Sequence, residues 1–161
     1  MSKKFSVSAY LENESAILLV EHVKQKAWVP VGGRIEENET PFEAMVREVS
    51  EETGFSIGKE CEPIPIRSFE LGLNDLVGML SYDQHAVLPQ GVHMCFSYLL
   101  HTRYRNITKC AEYTNVRWLN WPEFSAITRK NGPPLLNGLE IPPNVVKNLS
   151  RCFSILHGSG W

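Results

Sequence analysis

Cysteine is scarce in this chain. Its four copies, Cys61, Cys95, Cys110 and Cys152, are dispersed and no two form a C-x-x-C pair. That spacing gives zinc and dithiol redox motifs no support, and Cys95, inside an apolar run, reads as core. Long hydrophobic runs are also missing. After Lys3-Lys4, residues such as Ser, Tyr, Glu and Asn interrupt any apolar stretch, so neither a secretory leader nor a membrane span is expected and the expected location is cytoplasmic. No charge sign dominates: 16 Lys and Arg stand against 18 Asp and Glu, for a formal net charge of −2. Electrostatic wrapping of extended nucleic acid is therefore not expected, and a small-molecule substrate is the simpler reading. Internal repeats, low-complexity tracts and linkers are absent from the sequence.

What remains is an ordinary globular composition, 43% hydrophobic and 21% charged over 161 residues, enough for one domain with a real core. That domain is expected over residues 1–157, with 158–161 as a loose tail. Residues 5–11 and 16–20 read as a hairpin around Glu12-Asn13-Glu14-Ser15, and Trp28–Gly33 as a strand breaking into a glycine turn. Further strands are expected near Ile64–Phe69, His93–Leu100 and Thr114–Leu119. Segment Asn74–Tyr82 reads either way, and Asp83–Gly91 reads as a loop broken by Pro89 and Gly91. Helices are expected over Pro41–Thr53 and Asn144–Leu156, the second entered through Pro142-Pro143. Many strands with one helix early and one at the end imply a mixed sheet covered by helices, of the α/β or α+β class.

The first helix is the best specified element. Thr40 suits the N-cap, Pro41 the first helical position, and Glu43 completes a capping box, while Gly54 suits a left-handed end. At roughly 100° per residue, Phe42, Met45, Val46 and Val49 share a face that would bury on a sheet. Glu48, Glu51 and Glu52 fall in an arc beside that stripe. On the helix alone, a solvated acidic face is the favoured reading, because glutamate is a good helix former. Crowded carboxylates with one adjacent Arg47 are also the donor set that a hard divalent cation selects.

The flanking residues decide between these readings. Gly33, five residues, Glu39, seven residues and then Arg47-Glu48-Val49-Ser50-Glu51-Glu52-Thr53-Gly54-Phe55 resemble the Nudix box G-x5-E-x7-R-E-U-x-E-E-x-G-U, with Phe55 as an aromatic in the last aliphatic position. The resemblance extends loosely to Trp28–Gly33, a strand carrying His93, and Glu112–Trp118. It implies a mixed, curved β-sheet sandwiched between helices, an α/β/α sandwich. It also implies hydrolysis of a phosphoanhydride bond with Mg²⁺, for which Mn²⁺ can substitute. By that likeness Glu48 and Glu52 are the principal metal ligands, with the Gly33 carbonyl adding an oxygen. Glu51 ligates metal or, through a bound water, holds the site's geometry, and it is the competing base. Arg47 orients a carboxylate, and Glu39 ties the loop to the helix. Glu112 is the first candidate general base, because MutT-like members carry an acidic residue at similar spacing before a residue like Trp118; read structurally, it is a surface residue at a strand start.

The expected substrate is nucleotide-like. Markers of two relatives are missing: a proline expected of ADP-ribose pyrophosphatases is replaced near Glu70, and a tyrosine of diadenosine polyphosphate hydrolases is absent from Leu71–Leu73. This leaves a MutT-like hydrolase of a nucleoside triphosphate first. Other nucleoside diphosphate derivatives, including those of GDP-mannose or ADP-ribose type, come second. Asn144 could read a purine edge or merely help cap the last helix. Trp28 and His22 are candidates for a base pocket, or simply strand packing and a strand end. Arg34, with Lys24 and Lys26, is a candidate phosphate contact, although exposed loop cations are the default. Asp83 and His85 belong to the loop expected to shape specificity. The chain is expected to be a monomer or homodimer. A non-catalytic nucleotide-binding module is the competing function, disfavoured by the presence of all three box carboxylates. An isopentenyl-diphosphate isomerase lacks its cysteine context here.

Overall fold

A computed structural model of the chain describes residues 2–66, 79–87, 91–108 and 110–158. Strands β1 (Ser2–Asn13) and β2 (Ala16–His22) form the expected hairpin. Its two-residue turn places Glu14 at φ 50° and Ser15 at φ 62°, the paired positive values of a type I′ connection, whose twist matches that of the strands it joins. Glu12 Oε1 accepts the Ser15 N–H at 2.7 Å and tightens it. There follow β3 (Ala27–Val29), β4 (Val31–Arg34), α1 (Pro41–Thr53), β5 (Cys61–Pro63), β6 (Met79–Val87), β7 (Gly91–Thr102) and β8 (Tyr113–Asn120). The chain continues through α2 (Trp121–Thr128), the short pair β9 (Leu135–Leu136) and β10 (Leu139–Glu140), and α3 (Pro143–Leu156).

Eight of these strands make one mixed sheet ordered β3-β2-β1-β7-β5, with β4 also on β1, β6 on β7 and β8 on β2. Its centre is the parallel pair β1 and β7, in register from Ser2 opposite Gly91 to Glu12 opposite His101. The two faces can be told apart on β7. Tyr98 meets Phe42 of α1, whereas its neighbour Ser97 accepts a hydrogen bond from Asn148 of α3. Successive strand residues point to opposite faces, so α1 and α3 cover opposite sides and the architecture is the expected α/β/α sandwich. The core between the layers is made of fully buried Leu11, Ile17, Leu18, Leu19, Leu99, Leu100, Met45 and Leu149. Among the described residues no helix is long and apolar enough to cross a membrane.

Three expectations need correction. The loop expected over Asp83–Gly91 is mostly strand: β6 pairs antiparallel with β7 from Met79 opposite Tyr98 to Val87 opposite Gly91. Polar Asp83, Gln84 and His85 hid it, because half-exposed pairing on β7 does not require an apolar period. The strand expected near Ile64–Phe69 starts earlier and is short, at Cys61–Pro63. Pro63 and Pro65 cannot donate to a ladder, so pairing stops there; residues 67–69 lie outside the described set. Helix α2 was not anticipated. Asn120 caps it by accepting the Glu123 N–H, and Pro122 lies in its first turn, but eight residues carry too little apolar periodicity to announce it. Of the ambiguous Asn74–Tyr82 segment, residues 79–82 belong to β6 and 74–78 lie outside the described residues, as do 159–161 of the tail.

Candidate active site

Both ends of α1 are built as the sequence predicts. Thr40 Oγ1 accepts the Glu43 N–H at 3.2 Å, and Glu43 Oε2 accepts the Thr40 N–H at 2.8 Å. Gly54 ends the helix in the left-handed region at φ 77°, its N–H returning to Ser50 O. These caps fix where the turn Glu48–Glu52 stands along the sheet.

Which face that turn buries differs from the sequence expectation. Met45 and Val49 are buried, but so are Ala44, Glu48 and Glu52, while Phe42 is 38% exposed and meets Tyr98 only edge-on. Two of the three acids lie inside the buried stripe and only Glu51 looks outward. The cause is β4, where a glycine pair leaves room that carboxylates fill. A Cβ on Gly33 would fall 2.1 Å from Glu48 Oε1, so any side chain there evicts that carboxylate. The Gly32 N–H donates to Glu52 Oε2 at 2.9 Å.

Arg47 ties the preceding loop to this turn. Its guanidinium forks onto Glu39, with Nε to Oε1 at 2.7 Å and Nη2 to Oε2 at 2.9 Å. Nη2 also reaches the Arg34 carbonyl at 2.9 Å, and Nη1 reaches Glu48 Oε1 at 2.7 Å and Glu51 Oε2 at 3.4 Å. Arg47 thereby holds Glu39 down at about 2, with the Glu36 N–H helping. Glu48 goes the other way: burial raises it despite Arg47.

Glu52 is the most perturbed carboxyl, pushed up to about 8. Burial is the main cause. The Gly32 N–H opposes it, whereas a hydrogen bond with Glu112 and the charges of Glu48 and Glu112 add to it. Glu112, some sixty residues downstream, therefore shares a site with the helix acids. Three carboxyls are held together with too little positive charge, since Arg47 is spent largely on Glu39. That is an oxygen donor set suited to Mg²⁺ or Mn²⁺. As they stand, no three acids among the described residues are placed to hold an ion together, because Glu48 is turned onto Arg47 and Glu52 onto Gly32.

Of the residues predicted from sequence, Gly33, Arg47, Glu48, Glu51, Glu52 and Glu112 are brought together. Arg34 ends β4 beside them with its side chain exposed. Trp28 is 2% exposed and donates from Nε1 to Leu136 O at 2.7 Å, so it takes the packing role. His22 ends β2 opposite Tyr113, its Nδ1 accepting the Gln25 N–H at 3.3 Å. Asn144 sits exposed in the first turn of α3, whose N-cap is Pro142 with no side-chain cap bond, so the capping alternative is not realised. Lys24 and Lys26 are exposed in the turn after β2. Sequence reasoning missed Tyr113 and Thr108, which fasten the Glu112 segment to α1. Nothing in their local pattern marks them. A cleft of about 630 Å³ lies beyond the C-terminus of α1, among Asn13, Gly54, Arg103, Tyr104 and Thr108. It does not include the carboxylates.

Comparison with known proteins identifies the family and the fold. The NUDIX domain family model matches residues 2–135. A curated relative from Lactococcus lactis subsp. cremoris (strain MG1363), named probable DHNTP pyrophosphohydrolase, is 29% identical over 72 residues, which are 45% of this chain and 43% of that protein. The matched part thus spans less than half of that relative's length. Among solved structures, a NUDIX family hydrolase from Clostridium perfringens superposes with a TM-score of 0.70 at 22% identity, covering 97% of this chain and 99% of that one. A C. elegans Ap4A hydrolase complex does so with a TM-score of 0.66 at 15% identity, covering 98% and 99%.

Proposed function

Since the chain belongs to the NUDIX family, we propose that it hydrolyses a phosphoanhydride bond in a nucleoside diphosphate linked to another group, with a nucleoside triphosphate as its substrate class. The observation that carries this reading is the convergence of Glu48 and Glu52 on Gly32–Gly33 of β4, with Glu112 beside Glu52 and Arg47 shared between Glu39 and Glu48. The pyrophosphohydrolase name of the Lactococcus relative points the same way.

Glu48 and Glu52, with the Gly33 carbonyl, would hold Mg²⁺, and Glu51, next to Glu52 on the same helix, would join through a water. The bound cation supplies neutralisation of phosphate charge and a lowered pKa for water. The protein's own residues do the rest. Arg47 fixes the carboxylates, and Glu39 anchors Arg47, so the donors are set before substrate arrives. Glu112 takes the proton as water oxygen bonds to phosphorus and the opposite P–O bond breaks, its electron pair leaving with the departing phosphate. Exposed Arg34 at the end of β4 is placed to meet a phosphate. His22 and Asn144 are retained as candidate substrate contacts, and Trp28 only as a wall behind them.

A panel of nucleoside triphosphates, dinucleoside polyphosphates and nucleotide sugars with Mg²⁺ or Mn²⁺ tests the proposal. The expected outcome is metal-dependent release of monophosphate plus pyrophosphate, or of diphosphate plus phosphate, from a triphosphate. Nucleotide binding without metal-dependent phosphate release anywhere in the panel would overturn it in favour of a binding module.

A further inference from the structure

Glu112 is exposed on the short turn that enters β8, yet its carboxyl stands beside Glu52. An exposed glutamate on a turn has many rotamers, and its turn has many positions, unless something holds the backbone. The holding group is the phenol of the next residue. Tyr113 is 6% exposed, and its Oη lies 2.6 Å from Glu52 O and 2.8 Å from Thr108 O. One hydroxyl therefore gathers a carbonyl from the last turn of α1 and a carbonyl of the segment leading to Glu112. That resembles the corner tyrosines of β-sandwiches, which bond back to the chain a few residues upstream.

Other contacts surround this hub. The Thr108 N–H donates to Thr53 O at 2.9 Å. A Cβ on Gly54 would lie 2.6 Å from Thr108 Oγ1, so the helix end and the segment touch without slack. On the other side Glu112 O accepts the Val23 N–H at 3.0 Å. Glu112 is thus tied to the Glu52 end of α1 through the backbone, by way of Tyr113 and Thr108.

We propose that Tyr113 is a positioning residue that sets Glu112 against Glu52, so that the helix presenting the metal ligands also fixes the distance to the base. This rests on Glu112 being the base. Tyr113 exchanges no proton with substrate: it keeps its own, and its effect passes through the backbone.

The test compares Tyr113→Phe, Glu112→Gln and the double variant in the full chain. Tyr113→Phe keeps the ring and should lower kcat ten- to a hundredfold with KM changed less than twofold, as expected for a displaced catalytic group. In the Glu112→Gln background the same change should cost nothing further. In metal-free protein, Tyr113→Phe should speed amide hydrogen exchange over 108–112 while Met45–Val49 of α1 stay protected. Gly54→Ala, which pushes Thr108 from the helix side, serves as the second variant should Tyr113→Phe fold poorly, with the same pattern expected. If Glu112→Gln alone leaves turnover unchanged, the base assignment fails and this proposal with it. If Glu112→Gln is crippled but Tyr113→Phe has normal kcat, or its loss multiplies fully with that of Glu112→Gln, the base stands and the positioning role is overturned.

Discussion

The site has two halves made in opposite ways. The helix half, from Gly33 to Gly54, is one stretch of chain whose caps, glycines and Arg47–Glu39 fork lie within 22 residues of one another. The Glu112 half is brought in from far along the sequence and held by one buried phenol and a few backbone bonds. Local arrangements leave a periodic trace in a sequence, whereas assembled ones leave almost none. The difference also predicts how each half fails: damage to the helix half should remove the metal, and damage to the other should spare the metal and slow the chemistry.

The largest separation of the two should come from Glu112→Gln. It should lower kcat by roughly 10²–10⁴-fold, the usual worth of a general base, while the Mg²⁺ concentration for half-maximal rate stays the same in steady-state kinetics. Gly33→Ala is its counterpart. The new methyl takes the space of the Glu48 carboxylate, so Mn²⁺ affinity measured by calorimetry should fall on the order of 10–100-fold. Equal metal affinity in the two proteins would show that Glu48 is not placed by this contact.

Gly54→Ala probes the joint between the halves. A non-glycine residue in the left-handed region costs roughly 1–2 kcal/mol, to which the approach to Thr108 adds. Urea melts should show at least that loss, with α1 still formed by circular dichroism. The gentlest effect is on pH dependence. Glu52 in the folded protein is pushed up to about 8 from 4.5, chiefly by burial, so between those values the folded state keeps a proton that the unfolded chain releases. Linkage then makes metal-free protein lose stability as pH rises through that window. Thermal melts in EDTA should show Glu52→Gln flattening the decline. An unchanged slope would mean that Glu52 does not carry it.

Much of the helix half was readable. Thr40, Glu43 and Gly54 cap α1 as their types and spacing foretell, and Pro41–Thr53 is helical to the residue. What could not be read was how that helix rolls on the sheet. Glu52, whose spacing sets it beside the buried stripe, is 4% exposed, because β4 offers two glycines where a side chain would have kept it out. Phe42 is exposed for the same reason. The β6 strand was missed because pairing with β7 tolerates Asp83 and Gln84. The β9–β10 hairpin was missed although Asn137-Gly138, at φ 49° and 80°, carries the standard signal of a two-residue turn. Tyr113 is different again. Nothing near it in the chain indicates that its hydroxyl meets α1, and only the tertiary fold supplies that partner.

The most direct test is the rate of triphosphate hydrolysis against Mg²⁺ concentration, in wild-type protein and in Glu52→Gln of matched secondary structure. Saturable activation from a background near zero in EDTA is expected for the wild type, and a rate at least about 10³-fold lower at every concentration for the variant. Full wild-type activity in EDTA, or a variant within threefold of wild type, would contradict the proposed function.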